Sequence, residues 1–173
     1  MTKIILTILI PLFVVALAYA AQPTPAQELE RYIRSWTATA PNRTATALSY
    51  IPAVLSAAEK YKIDHMLIAI IISGESSWKI KSVGKRGEIG LMQVLGQCAA
   101  DDCELVTAAG QIDCGAKCLR KSIDICNQEF DLTEGLNLYM SGHCRPVHKV
   151  TLRRMRLWKL ATMEAQPRLG EKQ

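Results

Sequence analysis

The chain has 173 residues, 49% of them hydrophobic and 21% charged, with a formal net charge of +5 and six cysteines. No internal repeat or low-complexity tract interrupts it, which excludes solenoid and fibrous architectures. Setting aside an N-terminal address, about 153 residues remain, enough for one domain around a single hydrophobic core.

The address is residues 1–20. Lys3 supplies a positive start, "IILTILIPLFVVALAYA" an apolar core, and Ala18 and Ala20 an A-x-A site, so cleavage is expected before Ala21. An uncleaved membrane anchor is the competing reading, because the apolar stretch is close to the lower limit for spanning a bilayer. On either reading the remainder is exported, and loss of Lys3 takes the formal charge from +5 to +4. Export makes nucleic acid an unexpected partner.

After "AQPTPAQ", read as a short linker, "ELERYIRSW" has helical character. Between Pro41 and Lys60, Ala47, Leu48, Ile51, Val54, Leu55 and Ala58 recur at three- and four-residue steps, which predicts a helix that Pro52 either kinks or starts. Asp64 is placed to cap the next element, accepting from the free N–H groups of its first turn. That element, Met66 to Ile72, is apolar all round and so buried on every side. Its isoleucines favour a strand, whereas the Asp64 cap and the polar Ser73 and Gly74 at its end suit a central helix.

A loop follows, "SWKIKSVGKRGEIG", whose three glycines permit close backbone approach. "LMQVLGQC" is read as the start of a helix, and further helices are expected over Ile112–Cys126, Asp131–Met140 and Lys149–Met163. The last is expected to lay Leu152, Met155, Leu157 and Leu160 near one side and to present Lys149, Arg153, Arg154, Arg156 and Lys159 as a solvated basic face. The fold class is therefore mainly α.

In an exported chain, Cys98, Cys103, Cys114, Cys118, Cys126 and Cys144 are better read as up to three disulfides than as a metal site, because their spacings match no standard zinc pattern. Six cysteines allow 15 connectivities. Cys114 and Cys118 share a helix face, and Cys98 with Cys103, flanking "AADD", is the more plausible local loop. His65, His143 and His148 form no ligand pattern and receive no role.

The chemistry centres on Glu75, in "IIISGESSWKI", separated from the apolar run by Ser73 and Gly74. A carboxyl group beside an apolar element loses hydration in its charged form, which lets it hold a proton near neutral pH and suits it to general acid catalysis. Taken alone, Glu75 reads more readily as an ordinary glutamate at the exposed end of a buried element. Its neighbours change that.

"ESSW", followed 15 residues after Glu75 by "GLMQV", resembles the first two motifs of the soluble lytic type of transglycosylase, in the lysozyme-like superfamily. The matching residues are Glu75, Ser76, Trp78 and "GEIGLMQ", Gly87 to Gln93. "QIDCGAKCLRKSI" is similar to the family's N-I-x-x-G-x-x-Y-L stretch through Ile112, Gly115 and Leu119, and "NLYMSGHC" to its third motif, A-Y-N-x-G, through Tyr139 and Gly142. The resemblance runs from about Tyr50 to Val147. It departs at Met140 (for Asn), Cys118 (for Tyr), Glu88 (for a small residue) and Gly84, where the family commonly has a substrate-binding Ser.

The resemblance implies a single lysozyme-like domain of the goose-type or transglycosylase kind, stapled by disulfides, with residues 44–147 catalytic, 21–43 a linker and helix, and 148–173 a basic C-terminal helix and tail. Together with the N-terminal address, it implies an exported, periplasmic lytic transglycosylase acting on peptidoglycan glycan strands without a cofactor or metal. Glu75 would protonate the glycosidic oxygen and then act as base toward the muramoyl 6-hydroxyl, releasing a 1,6-anhydro end. Met92 and Gln93 would line the saccharide groove, and Tyr139 would hydrogen-bond or orient Glu75. Core packing is an equal reading for Met92 and the better one for Trp78. Two alternatives stand beside this: a hydrolytic muramidase using Glu88, Asp101 or Asp102 to activate water, and an inactive wall-binding assembly subunit. An envelope-spanning secretion or conjugation machine is a further expected partner, and the membrane only if the N-terminal segment is uncleaved.

Overall fold

A computed structural model describes residues 23–95, 103–126 and 132–165; the N-terminal address, Cys98, Asp101 and Asp102 lie outside these. The described residues form seven helices: α1 Pro25–Trp36, α2 Pro41–Leu48, α3 Ile51–Tyr61, α4 His65–Ser76, α5 Ala108–Cys126, α6 Leu132–Ser141 and α7 Lys149–Ala165. None of them is long and apolar enough to cross a membrane.

Helix α1 begins inside the expected linker. The Thr24 hydroxyl accepts from the Gln27 backbone N–H at 3.3 Å while the Gln27 side chain accepts from Thr24 N–H at 2.8 Å, a reciprocal cap that fixes the start at Pro25. The single helix expected from Pro41 to Lys60 is two, separated at Ser49 and Tyr50, and Pro52 lies in the first turn of α3, where its missing N–H costs nothing.

Helix α4 resolves the choice between strand and helix. Asp64 Oδ1 accepts from Met66 N–H at 2.9 Å and Leu67 N–H at 3.2 Å. Every residue from Met66 to Ser73 is buried, with α1, α3 and α7 packed around them. The β-branched isoleucines cost at most about 0.7 kcal/mol each in helical propensity, which the Asp64 cap and burial of the element on all sides by neighbouring helices outweigh, since a helix buried all round satisfies its own backbone. Cap and burial together decide the conformation. Ser73 and Ser76 satisfy their hydroxyls by donating back to Ala69 O (2.8 Å) and Ile72 O (3.1 Å).

The chain leaves α4 through two consecutive left-handed residues, Ser77 (φ 49°) and Trp78 (φ 65°), which fold Trp78 back into the core with its Nε1 donating to Ser73 Oγ at 2.9 Å. The loop then pairs with itself through bridges Val83 to Ile89 and Ile89 to Val94. The helix expected to begin at Leu91 does not form over Leu91–Leu95. Gln93 has φ 51°, and Val94 and Ile89 exchange both backbone hydrogen bonds at 3.1 Å instead.

Two disulfides join described residues, Cys103 to Cys114 and Cys126 to Cys144, and Cys118 is disulfide-bonded as well. The expected local pair of Cys98 with Cys103 is therefore corrected: Cys103 is spent on the first turns of α5. No group of three or more His, Cys, Asp or Glu residues able to hold a metal occurs among the described residues.

Helix α7 departs most from its sequence pattern. Its buried residues are Thr151, Arg154 and Met155, whereas Leu152 and Leu160 are about half exposed. Asn137, fully buried on α6, sets this orientation. Its Nδ2 donates to His143 O (2.8 Å), Cys144 O (3.3 Å) and Pro146 O (3.1 Å), and its Oδ1 accepts from His148 N–H (2.9 Å) and the Thr151 hydroxyl (2.8 Å). Further along, Trp158 Nε1 donates to the Asp64 cap of α4 at 3.0 Å. These fastenings turn the Thr151–Arg154–Met155–Trp158 stripe inward and leave Leu152 and Leu160 outside.

Candidate active site

Glu75 lies in the last turn of α4, where the buried helix meets a cavity of about 700 Å³. Gly84, Glu88, Gln93, Tyr139 and Met140 line it too, with Lys85, Arg86 and Lys121 adding positive charge. Of the four site residues expected from the sequence, three line this cavity: Glu75, Gln93 and Tyr139.

Met92 does not. It is fully buried, and its side chain fills the space beside Gly115, where a Cβ would come within 2.5 Å of Met92 Sδ. Of the two readings of Met92, groove lining and core packing, its burial fits packing of the "GLMQ" turn against α5, with a glycine on the facing helix. Gln93 is held by its own amide: Nε2 donates to Gly90 O at 2.9 Å and Ser82 O at 3.2 Å, fixing the Oε1 end.

The Tyr139 hydroxyl donates to the Met92 backbone carbonyl at 2.7 Å, not to Glu75. Burial first, and the neighbouring Glu75 charge second, push that hydroxyl well above its ordinary range, with Arg154 opposing, so Tyr139 stays protonated. It ties α6 to the second motif.

Arg154 Nη1 donates to Glu75 Oε1 in an ion pair, with side chains 10% and 22% exposed respectively. Charge patterning alone puts Arg154 with Arg153 and Arg156 on a solvated face. Those two neighbours are exposed, but Arg154 is buried. The available signal was spacing: Thr151, Arg154, Met155 and Trp158 follow a three- and four-residue rhythm that competes with the leucines.

Glu88 is a second carboxylate in the cavity wall, with its side chain 13% exposed. Its Oε1 accepts from Arg86 Nε and its Oε2 from Arg86 N–H, both at 2.8 Å. A hydrogen bond from its own backbone N–H first, and Arg86 second, hold this carboxyl below the usual range. A Cβ at Gly84 would lie 2.3 Å from Glu88 Oε2. The two departures from the family pattern lie side by side: the Glu88 carboxylate occupies the space next to Gly84 into which a larger residue at position 84 would extend. Gln111, which the sequence reading passed over, accepts from Leu91 N–H at 2.8 Å and donates to Leu105 O at 2.8 Å and Ile80 O at 3.2 Å, pinning the loop to α5.

The family model for the transglycosylase SLT domain matches residues 52–143, more than half of the chain. The chain belongs to the SLT transglycosylase family. Neither a curated protein nor a solved structure matches it. The SLT domain brings a lysozyme-like fold, which the helical architecture fits. It also brings lytic transglycosylase activity on peptidoglycan, a substrate outside the cytoplasm. The matched residues hold Glu75, Glu88, Gln93 and Tyr139, and they end before α7.

Proposed function

We propose that this SLT domain is an exported, periplasmic lytic transglycosylase that cleaves the MurNAc–GlcNAc β-1,4 bond with Glu75 as general acid and then general base. The observation that carries the reading is the placement of Glu75, the carboxylate on the end of the buried central helix, facing a cavity large enough for sugar rings. In the first step Glu75 would give its proton to the glycosidic oxygen as the C1–O bond breaks. In the second, its carboxylate would take the proton of the muramoyl 6-hydroxyl as O6 bonds to C1, so the product is a 1,6-anhydromuramoyl end and Glu75 regains its proton. No second carboxylate and no water are consumed, unlike the two-carboxylate scheme of other glycosidases. Gln93 offers a fixed acceptor oxygen to the glycan, and Tyr139 supports the turn that carries it.

The second reading is a hydrolytic muramidase, for which Glu88 is the second carboxylate in the same cavity. Arg86 occupies both Glu88 oxygens, which argues for a structural anion over a water-activating base. Mass spectrometry of digested peptidoglycan separates the two: anhydro ends are expected, and reducing ends carrying added water would replace the lyase by the hydrolase. The exposed Arg153 and Arg156 of α7 are the proposed docking face for envelope machinery such as a secretion or conjugation system.

A further inference from the structure

We infer that Arg154 is a positioning residue for the Glu75 carboxyl, so that the C-terminal helix α7, which lies outside the family-matched residues, completes the active site. The inference rests on the reading of Glu75 as acid and base.

Four observations converge on it. Arg154 is 8% exposed while Arg153 and Arg156 on either side face solvent, so a solvated basic face does not account for it. A guanidinium is rarely desolvated without a paired anion, and among the described residues Glu75 is the carboxylate that pairs with it. Its approach is built into the fold at both ends of the stripe, by Asn137 gripping Thr151 and His148 and by Trp158 gripping the Asp64 cap. Finally, α4 makes room for it: a Cβ on Gly74 would sit 2.7 Å from Arg154 Nη2, 2.8 Å from Nε and 2.9 Å from Cζ. A glycine inside a helix lowers its propensity, and here the missing side chain is the space through which the guanidinium reaches the acid.

The contact engages one carboxylate oxygen. Arg154 holds Oε1, and no group among the described residues hydrogen-bonds Oε2, which is left for the substrate. The paired form is the carboxylate that exists after Glu75 has given its proton to the glycosidic oxygen. Arg154 thus acts by geometry: its buried guanidinium fixes where the Glu75 carboxyl sits at the end of α4. It also keeps the carboxylate in one rotamer until the 6-hydroxyl proton arrives and closes the proton balance. Tyr139, the residue expected to orient Glu75, is committed to Met92 O and leaves that place to Arg154.

The test compares kcat and KM of the full exported chain on soluble glycan strands for wild type, Arg154→Met, Arg154→Lys and Gly74→Ala, with Glu75→Gln as control and thermal melting for each. Arg154→Met is expected to lower kcat by about 10- to 100-fold with KM nearly unchanged, since a misplacement of about 1 Å costs up to about 100-fold. Arg154→Lys is expected to recover part of that loss. Gly74→Ala keeps the arginine but displaces its guanidinium, and is expected to lower kcat about 10-fold while the helix-propensity gain of alanine offsets part of the stability lost with the ion pair. This variant decides the question even where Arg154→Met fails to fold. Wild-type or higher kcat in Gly74→Ala or in folded Arg154→Met, beside an inactive Glu75→Gln, overturns the positioning role alone. An active Glu75→Gln overturns the catalytic reading itself.

Discussion

Helices α4 and α7 lie against each other and meet at one ion pair, yet they are encoded in opposite ways. In α4 the decisive property is local: Met66 to Ile72 is apolar in every direction, so any fold must bury it, and the one residue beyond it that carries charge has to emerge somewhere. In α7 the decisive property is nonlocal. Three arginines at positions 153, 154 and 156 are chemically identical in sequence, and only the carboxylate on another helix and the Asn137 anchor select which one goes inside. An apolar run states its own burial, whereas a buried cation states it only through its partner.

The contrast can be broken by stability measurements. Ile71→Ala, at a fully buried position of α4, is expected to cost about 2–5 kcal/mol in urea unfolding. A loss under about 1 kcal/mol would mean that the central helix is less tightly packed than described. Replacing both Cys126 and Cys144 by Ser removes the link holding the segment that leads into α7 and is expected to cost about 3 kcal/mol for a loop of this length. At the small end, Leu152→Ala on the outer side of α7 should stay within about 0.5 kcal/mol. A larger cost would restore the leucine face that the sequence suggests and undermine the inward placement of Arg154.

The same division explains what could be read from the sequence. The helical class, the Asp64 cap, the buried central element and the emergence of Glu75 into a cavity with Gln93 follow from short-range pattern and from the two family motifs. What could not be read was settled by contacts distant along the chain. Met92 is taken into the core by Gly115, the Tyr139 hydroxyl by Met92 O, and Cys103 by Cys114 in place of its nearer neighbour. The expected helix at Leu91 failed because a left-handed Gln93 and a bridge to Ile89 close the turn, and no propensity scale weighs a bridge. The positive residues misled for a different reason: charge patterning assigns a face to solvent by default, and a single buried arginine does not disturb the pattern.

On the proposed function, the carboxyl at the end of α4 performs the chemistry. The most direct measurement is the rate at which Glu75→Gln solubilises purified peptidoglycan relative to wild type, with circular dichroism confirming that the variant is folded. A general acid and base of this kind is worth about 100- to 10,000-fold, so the rate is expected to fall by at least about 100-fold. A folded Glu75→Gln protein that clears peptidoglycan at the wild-type rate would contradict it.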